Sequence, residues 1–232
     1  MKHLLSTGVL ALMLLLGGCG NDESEVQSPP DSDANVTEEE PEEVEGTEEP
    51  EDPAEEEPSD DSIDPLSFFM ADGTIAHFEG VGNEFATLTI RTEYLEEGYV
   101  ALYEDNGGTT MLRVYRLSED RVDLVKEEGE FYEDYNTTFE ELEELAVIST
   151  YLEFPLEEGN TMGDRTVVQS GAIVETPYET FEDAIVLESK GSEDTTNIWY
   201  FVEGYGEVKR EFVMQEEGEE EFRVTSSLES IE

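Results

Sequence analysis

The chain has one cysteine and two histidines in 232 residues, and only 11 Lys+Arg against 62 Asp+Glu. A single thiol excludes an internal disulfide framework, a CxxC redox pair and every multi-cysteine zinc site. The shortage of bases leaves a formal charge of -51, the wrong sign for nucleic acid, where a basic face must neutralise phosphates. There is no GxSxG nucleophile elbow and no twelve-residue calcium loop closed by a glutamate. Gly204-Tyr205-Gly206 lacks the helix that a dinucleotide fingerprint needs and reads as a bulge or tight bend. His77 is the only histidine beyond the first few residues, so no two-histidine metal site exists and one candidate general base remains, flanked by strand-forming Ile75 and Phe78. Among so many acids, paired carboxylates at glycosidase spacing arise by chance, and no spacing singles out a pair. The expectation is a protein without catalytic residues, metal ligands or cofactors, and not an enzyme.

What is present begins at the N-terminus. Lys2 and His3 precede a largely apolar run from Leu4 to Leu16, shorter than the ~20 residues of a membrane-spanning helix and built like the n- and h-regions of a secretory signal peptide. The run ends in Leu16-Gly17-Gly18-Cys19, which resembles the lipobox of bacterial lipoproteins. That resemblance implies cleavage between Gly18 and Cys19 and a diacylglycerol on the Cys19 thiol, often with a further acyl chain on its amine. Two or more chains anchor stably. The protein is then expected on the extracytoplasmic face of a bacterial cell membrane, with residues 1–18 removed.

From Asn21 to Asp64 the chain carries 21 acids and six of its nine prolines, with no base and no aromatic residue. Such a segment cannot bury enough apolar area to offset its ordering entropy, so residues 19–64 are predicted to be a lipidated, disordered acidic linker. Self-repulsion among its carboxylates extends such a coil and holds the folded part of the chain away from the membrane. Composition changes at Pro65, where Leu66, Phe68, Phe69 and Met70 form the first apolar cluster after the signal peptide. Residues 65–232 hold 41 acids and 10 bases, a net of -31. A domain with that much like charge is best tolerated in a saline or alkaline exterior, since the Debye length is only ~3 Å at 1 M salt.

Within 65–232 the hydrophobic pattern has period two and short turns punctuate it. Strands are predicted at 84–94, 99–104, 110–117, 121–126, 166–175, 184–188, 197–203, 208–214 and 221–227. Asp105-Asn106-Gly107-Gly108 is the strongest hairpin signal. The one plausible helix spans 138–148, where Phe139, Leu142 and Leu145 fall near helical spacing. About ten strands with one short helix predict a mainly β domain, a single antiparallel sheet strongly curved or folded into an open barrel. The extended stretch from Leu152 to Gly159 leaves a division into two halves near Tyr151 open. Trp199, Tyr200 and Phe201 are candidate ligand-stacking or core aromatics.

Three stretches resemble the C-terminal half of an uncharacterised family of Gram-positive (Bacillus-type) lipoproteins and secreted proteins. They are Thr176-Pro-Tyr-Glu-Thr-Phe-Glu-Asp-Ala-Ile185, Trp199-Tyr-Phe-Val-Glu-Gly-Tyr-Gly-Glu-Val-Lys209 and Val224-Thr-Ser-Ser-Leu-Glu-Ser-Ile231. The second has the family's Gly-x-Gly-x-Val-Lys strand, and Asp72 to Ala86 is similar to its opening segment. The chain departs from the family at Tyr178-Glu179, Tyr205 and Glu207, where Ala-Gly, Val and Leu are commoner. The resemblance implies a surface location and no mechanism. The functional expectation is a lipid-anchored envelope protein that binds an envelope protein or small ligand without chemistry. A carrier for an apolar ligand in a β cup is the alternative, and an envelope hydrolase the weakest one. Replacing the anchor tests the first part: Cys19→Ser is expected to lose its acyl label and leave the membrane fraction, and a variant that still sediments with membranes would contradict it.

Overall fold

The computed structural model describes residues 63–96, 98–191, 194–215 and 218–232. The expected signal peptide, Gly18, Cys19 and nearly all of the acidic linker lie outside them. A 3-10 turn at Pro65–Phe68 opens the described chain, with the Asp64 carboxylate accepting from the Leu66 N–H at 2.9 Å. Twelve strands come after it: β1 (Ile75–Val81), β2 (Leu88–Tyr94), β3 (Tyr99–Asp105), β4 (Thr110–Ser118), β5 (Arg121–Gly129), β6 (Ser149–Glu153), β7 (Thr161–Met162), β8 (Arg165–Glu175), β9 (Thr180–Lys190), β10 (Thr195–Val202), β11 (Gly206–Met214) and β12 (Phe222–Ile231). They form one antiparallel sheet in the order β6-β5-β4-β3-β2-β1-β12-β11-β10-β9-β8-β7. The architecture is therefore two six-stranded meanders joined along β1 and β12. After β6, which carries Tyr151, the chain passes to β7 at the opposite edge of the sheet.

The sheet curls until its edges nearly meet. Arg165 on β8 donates from Nη2 to the Thr150 carbonyl on β6 at 3.0 Å, and Met162 of β7 shares an apolar cluster with Leu152 of β6. The result is an almost closed barrel, the expected fold class. Alternation explains it: Leu88, Ile90 and Thr92 of β2 are buried while Thr89 and Arg91 between them are partly exposed. Such strands bury one face and must find something to bury it against. Closure does this with the sheet's own inner face, which places Phe78, Phe201 and Leu228 out of solvent. The turn between β8 and β9 lies against β12, where the Tyr178 N–H donates to the Leu228 carbonyl at 3.0 Å.

Two features differ from the sequence reading. The expected helix over 138–148 is α1 (Phe139–Glu143), one short turn started by a Thr138–Glu141 capping box. Its exit carries Glu143 and Glu144 and no base, so nothing favourable meets the negative end of the helix dipole. Strand pairing also competes, because the Ile148 N–H donates to the Leu124 carbonyl at 2.8 Å and begins the approach to β6. The helix still has a task, since Leu142 packs with Tyr99, Ala101, Leu112 and Val114 on β3 and β4. The second difference is strand count. β6 and β7 are too short to show a period, and β6 is held by the buried Asp123, which accepts from Thr150 Oγ1 at 3.3 Å and from Arg121 Nε at 3.1 Å. Among the described residues no helix is long and apolar enough to cross a membrane.

The chain before β1 forms part of the barrel's filling. Phe68 and Phe69 are buried, and Tyr94 donates its hydroxyl to the Met70 carbonyl at 3.0 Å. Gly206 lies against this segment with φ +72°, and a Cβ there would stand 2.4 Å from the Phe68 carbonyl oxygen. Gly204 has φ +84° but open space around it. Gly206→Ala is thus expected to cost at least ~2 kcal/mol and Gly204→Ala no more than ~1 kcal/mol, since only the first adds a clash to the left-handed strain. Urea denaturation of both variants checks this, and equal losses would contradict the packing described.

Candidate functional site

A hollow of ≈ 390 Å³ occupies the barrel interior. Met70, Phe78, Ile90 and Leu102 give it an apolar lining, Glu104, Arg113, Arg165, Glu207 and Arg210 a polar one, and Tyr115, Tyr151 and Trp199 line it as well. Three of the ten bases after Pro65 therefore line one space in a chain of charge -51. A second hollow of ≈ 210 Å³ lies toward Asn83 and Asn106 and shares Glu104, Asn197, Trp199 and Arg210 with the first.

The polar wall is one connected network. Arg210 Nη2 donates to Glu104 at 2.7 Å, and Arg210 Nε donates to Glu207. Glu104 also faces Arg113 Nη1 at 3.3 Å, and Arg113 Nε reaches Glu127 at 2.9 Å. In the sheet, β3 and β11 are separated by β2, β1 and β12, so the Arg210–Glu104 bond crosses the interior. Hydrogen-bonded ion pairs of this kind satisfy charges that would otherwise be costly to hold inside a protein. Burial would raise Glu104, yet Arg210 and Arg113 together outweigh it and hold its carboxyl below the ordinary range. Burial pushes Glu207 above that range against the pull of Arg210, with Glu104 adding to the rise. Burial likewise drives the phenols of Tyr115 and Tyr151 well up, so both remain protonated donors.

Arg165 is placed differently. Its guanidinium lies 5.2 Å from the Tyr151 ring centre and 5.5 Å from that of Trp199, and its one hydrogen bond among the described residues goes to the Thr150 carbonyl. Among the described residues no carboxylate stands within ion-pair distance of it.

The three aromatics singled out from the sequence part company. Trp199 faces the hollow directly across from Arg210 in the β10–β11 register. Phe201, on the same side of the strand, is fully buried in the core. Tyr200 points to the other face, where Lys209 stands 5.3 Å from its ring centre and its hydroxyl lies 3.5 Å from Glu211. His77 sits on β1 with Nδ1 3.3 Å from Thr89 Oγ1 and Nε2 3.8 Å from Glu232, apart from the network. Gly204-Tyr205-Gly206 forms the turn between β10 and β11. Among the described residues no three His, Cys, Asp or Glu side chains converge as a metal site.

The charged network was missed from the sequence, although a signal for it exists. Glu104 is in phase with Val100 and Leu102, Arg210 with Val208 and Phe212, and Arg113 with Tyr115. A charged residue on the apolar parity of a strand marks a polar group turned inward.

No protein-family model matches the chain, and no curated protein matches it. Two solved structures are similar to it in shape. One, from Bacteroides fragilis, is described as an exported protein with a YmcC-like fold, at TM-score 0.41 and 11% identity, covering 71% of this chain and 98% of its own. The other, from Parabacteroides distasonis, is described as a lipoprotein, at TM-score 0.41 and 13% identity with the same coverage. Likeness at that level carries no statement about this chain.

The opposite displacements of Glu104 and Glu207 set a pH test. Glu104, lowered on folding, contributes stability above the unfolded pKa that is lost as pH falls through the folded one. Glu207, raised on folding, contributes stability at low pH that is lost as pH rises through its folded value. The two windows therefore lie on either side of the ordinary carboxyl value of 4.5. Urea denaturation between roughly pH 3 and 7 is expected to show the parent protein gaining on Glu104→Gln below that value as pH rises. It is expected to lose ground to Glu207→Gln above it. Slopes of the same sign in both windows would contradict the assignment.

Proposed function

We propose that the protein is a lipid-anchored component of the outer face of a bacterial cell membrane that holds a small molecule inside its barrel, without transforming it. The observation that carries this reading is the ≈ 390 Å³ hollow, whose lining combines apolar side chains with a connected polar network. Hollows of roughly 300 to 1,000 Å³ lined mainly by apolar groups, with a few convergent polar ones, are the usual form of small-molecule sites. The lipobox-like Leu16-Gly17-Gly18-Cys19 supports the anchor, and the Gly-x-Gly-x-Val-Lys resemblance supports a surface lipoprotein of Gram-positive type.

Of the two binding readings, a carrier in a β cup now stands ahead of a module acting through its outer surface. The hollow is an interior feature, while the exposed apolar residues such as Val81, Tyr132 and Ile173 are scattered over separate elements. A hydrolytic reading draws on Glu104 and Glu207, since acid–base pairs are built from carboxyls with pKa values pushed apart. Here one guanidinium binds both carboxylates, which favours a fixed scaffold over proton transfer.

Trp199 is the only tryptophan in the chain and lies on the wall of the hollow, so it reports occupancy directly. Titration with the neutral dye N-phenyl-1-naphthylamine is expected to quench Trp199 emission saturably at one dye per chain. Ala76→Leu, which fills part of the hollow from β1, is expected to weaken that quenching. Trp199 emission indifferent to the dye would sink the reading.

A further inference from the structure

Granted a small molecule in the barrel, the function proposed for it, the imbalance of donors on the polar wall narrows the ligand. The wall carries three arginines against two glutamates. Both glutamates are already committed to Arg210, and Glu104 to Arg113 as well. Arg165 is the cation left over: it touches no carboxylate among the described residues, and a single bond to the Thr150 carbonyl leaves most of its five donors unused. The Tyr115 and Tyr151 hydroxyls have no protein acceptor among the described residues either. Among the described residues no side-chain polar atom sealed from solvent is left unpaired, and both tyrosines line the hollow, so both hydroxyls open onto it. Each of these three uncommitted groups offers a proton, and none demands one.

We infer that the hollow binds an amphipathic organic anion, its acidic head against Arg165 and Tyr151 and its apolar body against Met70, Phe78, Ile90 and Leu102. Neutral apolar ligands meet the same apolar wall but leave the Arg165 guanidinium without a counter-charge, and a cation would meet it directly. Charge-assisted bonds to a planar guanidinium are the strong ones, and an acidic head can take two of its N–H groups at once. The whole chain's negative field opposes an anion at long range. Salt screens that field within ~3 to 10 Å, whereas a contact pair inside the barrel is screened far less.

The test compares two dyes with one aromatic body: 1-anilinonaphthalene-8-sulfonate, which carries an acid, and N-phenyl-1-naphthylamine, which does not. Both are read by quenching of Trp199, and the part of the quenching that Ala76→Leu removes, by filling the hollow, is the part assigned to binding inside it. The anionic dye is expected to bind the full chain about tenfold or more tighter than the neutral one, the size of one charge-assisted contact. Arg165→Gln is expected to erase that preference, and Arg165→Lys to restore part of it. A merely structural Arg165 would shift both affinities together and leave their ratio alone. Equal binding of the two dyes, or a ratio unmoved by Arg165→Gln, overturns the anion inference while leaving the cavity reading standing. Failure of both dyes to quench Trp199 removes the cavity reading and this inference together.

Discussion

An arginine inside a barrel must keep its guanidinium satisfied, and Arg210 does so by bridging Glu104 and Glu207 across the interior. Much of the remaining architecture is arranged around that requirement. Removing one partner of such a pair leaves the other charge uncompensated inside the barrel. The network therefore ties β3, β4 and β11 to one another through the middle of the barrel, independently of the backbone ladder that joins them around its wall. An interior filled only with Leu, Val and Phe would close to the density of an organic crystal. Fixed charges that must stay in contact with one another prevent that, and a hollow remains beside them.

The apolar contacts set the shape within which the network acts. Phe68 and Phe69 from the chain ahead of β1 pack with Val100, Val122, Leu187 and Phe201 from several strands. Phe68, Phe69 and Met70 all line the hollow. Gly206 allows that segment to lie close, because any side chain there would collide with the Phe68 carbonyl. At the seam, Arg165 both links β8 to β6 and faces the hollow, so barrel closure and the polar wall share one residue.

The fold was legible where strands are long and turns carry their own chemistry. Asp105 and Asn106 accept from the N–H groups of Gly107, Gly108 and Thr109, and the hairpin they close was readable from four residues. The helix was overextended because apolar spacing alone favours continuing past Glu143. It takes the ladder contact of Ile148 with Leu124 to show why the chain leaves. β7 is two residues long and no pattern can show in it. The site was legible only in fragments. Trp199 was singled out, but Glu104, Arg113, Glu207 and Arg210 come from separated strands, and their meeting depends on a closure that no local pattern encodes. The parity of Glu104, Arg113 and Arg210 with apolar positions was visible; their partners were not.

The proposed occupancy of the interior by a small organic acid predicts that the protein carries one when isolated from cells. Native mass spectrometry of the full-length protein, released gently from membranes and compared with its denatured mass, tests that most directly. One molecule of a few hundred daltons per chain is expected, lost on denaturation and identified as a carboxylate or other organic acid. A native mass equal to that of the polypeptide and its anchor in every preparation, or a bound species that is cationic, would contradict it.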